Sequence, residues 1–246
     1  MMCSTKSLLT VLLLLASFSV IAVDTQKESV GVATLRAALL AKMPNLPVKS
    51  IRETPVAGIY EVLYGSQVAY LSQDARYMFD GDLVDLTSSE NLTEVRRAEG
   101  RLTALAEVGE DQMMVFAPKE VKHTMTVFTD VDCGYCRKLH KEIGVLNKAG
   151  VKVRYMLYSR AGVGSDSYNT MVSAWCADDP KAALTKAKLG GKIESRQCEN
   201  PIKQHMAVGR ALGLRGTPMI VLEDGSLIAG YQPAARLIAT LNKIGQ

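Results

Sequence analysis

The chain has 246 residues, 48% of them hydrophobic and 22% charged. Those proportions suit globular protein and exclude collagen-like, coiled-coil-only and fully disordered classes, and the length is enough for two modest domains. Twenty-nine Lys and Arg against 25 Asp and Glu leave a net charge of +4, and no basic run is dense enough to track phosphates, so nucleic acid is not an expected partner.

Residues 1–22 carry one charge, Lys6, ahead of an almost unbroken apolar run from Leu8 to Ala22. At about 15 residues the run falls short of the roughly 20 that a membrane span needs. It ends at Val20-Ile21-Ala22 and is followed by polar Asp24-Thr25-Gln26-Lys27-Glu28. That is the pattern of a secretory signal peptide cleaved after Ala22, with an uncleaved anchor as the competing reading. No other segment is apolar enough to span, so the mature chain is expected to be soluble, exported and in an oxidising compartment. Cys3 leaves with the signal.

Residues 30–42 place Val32, Leu35, Leu39 and Leu40 on one helical face, and Asn45-Leu46-Pro47 ends the helix. Strand-like runs at 58–64, 67–71 and 75–79, with turns at Gly65-Ser66 and Gln73-Asp74, predict a small antiparallel meander. So few apolar residues make a unit that is marginal alone, which predicts pairing with a second copy. Thr87-Ser88-Ser89-Glu90 has a capping-box pattern that predicts a charged helix through about Val108, roughly 30 Å long. Its apolar residues (Leu92, Val95, Leu102, Leu105) are sparse, as in an exposed spacer between folded parts. A surface helix of one larger domain is the alternative. The glycosylation sequon Asn91-Leu92-Thr93 falls in that helix and is read as chance.

From Met113 onward helices and strands alternate. Residues 124–129 and 151–157 are predicted strands flanking a helix over 136–148, which fits a parallel βαβ unit. Residues 166–189 and 202–212 are predicted helical, 219–222 and 227–230 form a hairpin around Asp224-Gly225, and 234–244 closes the chain as a helix.

Four cysteines remain after the signal, as a tight Cys133-Gly134-Tyr135-Cys136 and a wider Cys176 and Cys198. Four cysteines allow three pairings. Two bridges are too few to scaffold a mature chain of this size, so at least one has a more specific task. The CxxC follows a predicted strand and opens a predicted helix, where unpaired N–H groups and the helix dipole favour a thiolate. Cys133 is therefore the expected nucleophile, and Cys136, one turn further in and less accessible, the resolving thiol. Haem attachment is excluded because position 137 is Arg137 rather than His. A zinc site completed by Cys176 and Cys198 has the wrong spacing, and a purely structural CxxC bridge closes too small a loop to stabilise much. No metal or cofactor is implied.

Thr217-Pro218 opens the predicted strand at 219–222 and is compatible with a cis bond. A CxxC at a strand-to-helix turn together with this proline resembles the thioredoxin superfamily. Residues 126–140, Ala174-Trp175-Cys176, the GLRGTP stretch at 213–218 and Gly230-Tyr231-Gln232-Pro233 are similar to the DsbC branch of bacterial periplasmic disulfide isomerases, with Val56-Ala57-Gly58 resembling its N-terminal domain.

The resemblance implies an α/β chain (α+β in its N-terminal part). After the signal peptide (1–22) would come a cystatin-like, helix-plus-antiparallel-sheet dimerisation domain (23–86) and a linker helix (87–109). A thioredoxin-like catalytic domain with a helical insertion (110–246) would follow. It further implies a structural Cys176–Cys198 disulfide and a site of Cys133 and Cys136, with Thr217, Pro218, Gly134 and Tyr135 lining the substrate position. The implied function is a periplasmic homodimeric isomerase with chaperone activity, acting on misoxidised exported proteins and kept reduced by a membrane thiol reductase of the DsbD type. A monomeric oxidase and a holdase chaperone without chemistry are the rival readings. Among remaining residues, Trp175 is expected in the core, His140 at the surface near the site's rim, Asp132 as a helix-capping residue, and Asp130 is a candidate proton acceptor for Cys136.

Overall fold

The computed structural model describes residues 28–64 and 67–244. The stretch expected to be a signal peptide (1–22) and the expected turn at Gly65-Ser66 lie outside them. Among the described residues no helix is long and apolar enough to cross a membrane.

The N-terminal unit opens with α1 (Val30–Lys42), capped by Ser29, whose hydroxyl accepts from the Val32 amide. Val32, Leu35 and Leu39 recur on one face and are buried, whereas Leu40, predicted to share that face, is exposed. Four antiparallel strands follow in the order β1 (Val48–Glu53), β2 (Ile59–Tyr64), β3 (Gln67–Ser72) and β4 (Met78–Phe79). Strand β1 was not expected, because only Ile51 of its six residues is buried and the apolar alternation is correspondingly faint. Helix α1 packs on this sheet around Val62, Ala69 and Leu71.

A two-stranded ribbon, β5 (Val84–Asp85) with β6 (Glu90–Asn91), leads into α2 (Leu92–Val108). The predicted capping box is misplaced: Leu86–Ser89 forms the ribbon's turn, Glu90 pairs with Asp85 in the ribbon, and the cap is Asn91, whose side chain accepts from the Glu94 amide. Nor is α2 an exposed spacer. Thr93 Oγ1 bonds Tyr70 Oη at 2.6 Å and Arg96 pairs with buried Glu61 at 2.6 Å, both in the N-terminal sheet. One turn on, buried Arg101 donates to the Gly225 carbonyl at 2.6 Å, and Leu105 and Val108 enter the second domain's core. Gly225 sits in a turn at φ +83°, and a Cβ there would lie 2.5 Å from the Ala98 carbonyl oxygen, so the helix approaches that turn as closely as backbone allows.

The second unit is a five-stranded sheet ordered β11-β10-β8-β9-β7, with β7 (Met114–Phe116), β8 (His123–Thr129), β9 (Val151–Leu157), β10 (Met219–Val221) and β11 (Leu227–Ala229). The predicted βαβ unit is present: β8 and β9 run parallel, joined by α3 (Gly134–Lys141) and α4 (Ile143–Lys148), which break at Glu142. Strand alternation divides the core. Met125, Val127, Val153, Tyr155 and Ile220 face one cluster, shared with α3, α4 and α8 (Ala234–Ile244). Phe128, Met156, Met219 and Val221 face the other, shared with α2.

The predicted helix at 166–189 is two, α5 (Asp166–Trp175) and α6 (Pro180–Lys188), because Asp179 caps a new start and Pro180 fits only in the first turn. Cys176 at the end of α5 is bonded to Cys198, with Cα atoms 5.7 Å apart, tying the irregular stretch before α7 (Ile202–Ala211) to the helical insertion. This pairing removes both sulfurs from any zinc site with the CxxC.

Leu35 is fully buried under the N-terminal sheet, so Leu35→Ala is expected to cost about 3 kcal/mol. Urea denaturation should show an earlier first transition, with the catalytic unit's transition unmoved. Replacing Cys176 and Cys198 together by Ala opens a loop of sequence separation 22 and should cost about 3 kcal/mol, read as a lower thermal midpoint of the catalytic unit.

Candidate active site

Strand β8 ends at Thr129, and the next residue turns the chain. Asp130 is 1% exposed. Its Oδ1 accepts from the Asp132 amide at 2.9 Å, and its Oδ2 accepts from both the Arg160 amide and the Arg160 guanidinium at 3.0 Å. The carboxylate thus holds the β8–α3 and post-β9 loops together, with its oxygens committed to these donors. Cys133 rather than Asp132 caps α3: its sulfur accepts from the Cys136 amide at 3.4 Å. Asp132 is exposed and pairs with Arg137 at 3.0 Å, while Arg137 Nε donates to the Val131 carbonyl at 2.6 Å.

The two thiols are reduced and adjacent, Cys133 3% exposed and Cys136 fully buried. Opposite them the Thr217–Pro218 bond is cis, as its position before a strand allows. The Cys133 thiol donates to the Thr217 carbonyl at 3.1 Å. The buried Thr217 hydroxyl makes no hydrogen bond among the described residues, so its donor is uncommitted, and the Thr217 side chain favours the Cys133 thiolate. Burial opposes Cys133 ionisation, but the Thr217 side chain, the Cys136 amide and the Arg160 charge outweigh it and hold the thiol below the ordinary range. Deeper burial pushes Cys136 up, despite the opposing charge of Lys188. The two thiols, three residues apart, are thereby given opposed acidities.

Beneath the sulfurs lies a polar cluster that the sequence did not reveal. Lys188 of α6 is 1% exposed, and its Nζ donates to Thr129 Oγ1 at 2.7 Å and to the Asp130 carbonyl at 3.3 Å. Burial lowers its pKa to about 8. His140, expected at the surface, is buried; its ring nitrogens lie 3.2 Å from Tyr155 Oη and 3.0 Å from Thr185 Oγ1, and burial lowers it to about 4. A helical heptad in which His140 sits one turn past Cys136 could have signalled the inward face; Lys188 gave no such signal, because lysine at a helix end ordinarily marks solvent.

At the rim the predicted residues divide. Gly134 and Tyr135 are exposed, Tyr135 at 64%, while Thr217 and Pro218 are buried against the sulfurs. The Tyr135 ring stacks on Tyr231, 6.1 Å between centroids, and Lys138 Nζ lies 4.6 Å above the Tyr231 ring. Tyr231 Oη donates to Glu142 at 2.5 Å, and the other Glu142 oxygen accepts from the Ala234 amide at 2.6 Å, so the helix break at Glu142 fixes both the aromatic rim and the start of α8. Trp175 packs on the main core, edge-on to buried His205.

Comparison with known proteins places this geometry. Residues 110–245 match a thioredoxin-like domain family, and residues 22–94 match the disulfide bond isomerase protein N-terminal domain. Thiol:disulfide interchange protein DsbC of Escherichia coli (strain K12) is 37% identical over 201 residues, which cover 80% of this chain and 83% of that one. Its namesake from Haemophilus influenzae is 34% identical over 212 residues, covering 85% and 91%. The crystal structure of a disulfide interchange protein from Neisseria gonorrhoeae superposes with a TM-score of 0.51 at 26% identity, over 56% of this chain and 99% of that chain. The catalytic half therefore has the thioredoxin-like fold, and with relatives matched over so much of their own length the chain belongs to the DsbC family of thiol:disulfide interchange proteins.

Proposed function

We propose that the chain is a protein disulfide isomerase of an exported, periplasmic compartment, with Cys133 as the attacking thiolate and Cys136 as the resolving thiol. The observation that carries this reading is the pair of reduced thiols with opposed acidity at the start of α3, facing the Thr217 carbonyl. The Cys133 thiolate attacks one sulfur of a non-native substrate disulfide. A mixed disulfide forms and the second substrate sulfur leaves as a thiolate. That thiolate can attack another substrate disulfide, and a later substrate thiolate attacks the mixed disulfide, returning Cys133 unchanged: isomerisation. Alternatively Cys136 attacks Cys133 Sγ, releases the substrate thiol and leaves a Cys133–Cys136 disulfide that a donor must reduce. A membrane thiol reductase of the DsbD type fits that role.

Thr217 and Pro218, with Gly134 and Tyr135, border the position a substrate segment would take. The Thr217 backbone beside the nucleophile suits an extended peptide, and the Tyr135–Tyr231 ledge suits apolar side chains of incompletely folded chains. Residues 23–86 are assigned to dimerisation, 87–109 to the link and 110–246 to catalysis. Support for a homodimer comes from the edge of the N-terminal sheet, where Tyr77, Met78 and Phe79 are exposed beside Leu86 at 90% exposure. Two such chains would hold their catalytic sites around a shared cleft, the basis for chaperone activity alongside isomerisation.

Reactivation of a scrambled multi-disulfide protein in glutathione buffer tests the reading. Cys133→Ala is expected to abolish reactivation and Cys136→Ala to accumulate the mixed disulfide. A chain that only oxidises reduced substrate, and is monomeric by light scattering, would move it to the oxidases. In Cys136→Ala, thiolate absorbance should titrate Cys133 below the roughly 8.5 of a free cysteine, and Thr217→Val should move that midpoint up. Since folding favours the thiolate, this ionisation adds stability above the unfolded cysteine's pKa, and the increment should vanish as pH falls through the folded value.

A further inference from the structure

The exchange reaction leaves unexplained why a lysine is buried under the resolving cysteine. Placing an ammonium there is costly, and its two hydrogen-bond partners, the Thr129 hydroxyl and the Asp130 carbonyl, are both neutral. The Asp130 carboxylate is already held by Arg160 and two backbone amides. Thr129, whose hydroxyl accepts from Lys188, also acts on Cys136: the Lys188 charge and the Thr129 side chain both favour its thiolate. Lys188 and Thr129 are thus hydrogen-bonded to each other and, like Cys136, sealed from solvent.

We propose that Lys188 is a positioning residue that exchanges a proton with Cys136 through the Thr129 hydroxyl. The inference rests on the exchange reaction proposed above. With Lys188 as the amine, Cys136 passes its proton to Thr129 Oγ1 while that hydroxyl passes its own to Nζ. The Cys136 thiolate then attacks Cys133 Sγ, the bond from Cys133 to the substrate sulfur breaks, and the substrate leaves as a thiolate. The products are a Cys133–Cys136 disulfide and a Lys188 ammonium. When a donor thiol reduces that disulfide, the proton returns from Nζ to Cys136.

The surrounding groups leave this role to Lys188. On α3 it faces Cys133, Cys136, Arg137 and His140, on β9 Tyr155, and beyond β8 Asp130 with its partner Arg160. His140, lowered to about 4, stays neutral near pH 7, and Tyr155, whose ring centre is 5.3 Å from Nζ and whose hydroxyl is raised well above its usual range, stays protonated. Cys133, Cys136 and Asp130 favour the ammonium while burial and Arg137 oppose it, leaving Lys188 at about 8, where both forms are populated near neutrality.

The test is reaction of the reduced full mature chain with Ellman's disulfide, which reports both steps. Attack by Cys133 releases one coloured thiolate and resolution by Cys136 releases the second. Lys188→Met is expected to leave the first phase unchanged and to slow the second roughly a hundredfold near pH 7, the low end of what a positioned base contributes. Thr129→Val should slow the same phase, and carries the test alone if Lys188→Met does not fold. Lys188→Arg keeps the charge but cannot take up the proton, and should leave the second phase slow. Full recovery with Arg would show that only the field matters and would overturn proton exchange, as would a second phase equally fast in Lys188→Met. Failure of the wild-type chain to release the second thiolate would instead overturn the exchange reading itself.

Discussion

The site depends on one buried carboxylate. Asp130 ends β8 inside the protein and spends its oxygens on the Asp132 amide and on the amide and guanidinium of Arg160. Those bonds stitch the turn before α3 to the loop after β9, the two segments that emerge side by side because β8 and β9 are parallel neighbours. A carboxylate so placed has little freedom to move, and hydrogen bonds to a charged acceptor contribute about 1.5–3 kcal/mol each. The α3 N-terminus, and with it the Cys133 sulfur, is therefore aimed by the sheet rather than by a flexible loop. This argues against a simple proton-acceptor role for Asp130, whose oxygens already have their donors.

From that fixed point, chemistry is apportioned by depth. Cys133 lies where the Thr217 side chain, the Cys136 amide and the Arg160 charge can reach it; Cys136, one turn inward, lies against Thr129, Lys188 and the Tyr155 layer. The same helix supplies both thiols, so its dipole cannot by itself separate them. What separates them is burial, which dominates the balance at Cys136 and is outweighed at Cys133. The helical insertion contributes here as well as in its disulfide, since α6 carries Lys188 to the floor of the site and Thr185 to His140.

Periodicity and punctuation made much of this legible. The βαβ unit, the closing hairpin and α1 follow from apolar spacing, and the pair of thiols at the start of α3 follows from a CxxC between strand and helix. What the sequence concealed shares one cause, that long-range contacts override local signals. Thr87–Glu90 has a capping pattern, but ribbon pairing of Val84 with Asn91 moves the cap to Asn91. Strand β1 has one buried residue and is held by pairing with β2. Arg96 and Arg101 give α2 the composition of an exposed helix, yet both are buried because Glu61 and the Gly225 carbonyl meet them from opposite domains. Lys188 and His140 are polar letters on faces that only the packed structure turns inward.

The double engagement of α2 bears on how the two halves act together. Its first turns are bonded to the N-terminal sheet and its last turns belong to the core of the second unit, so one continuous helix is shared by both halves. The N-terminal unit itself has a core of only eight buried side chains among the described residues, little for an independent domain, since each contributes about 1.5–3 kcal/mol at most against the entropy of ordering the chain. On the homodimer proposed above, its exposed aromatic edge at β4 would be the surface that a second copy covers. Pairing there would complete the small core and, through α2, fix the separation of two catalytic sites. Stability of the N-terminal unit and geometry of the active cleft would then be consequences of the same association.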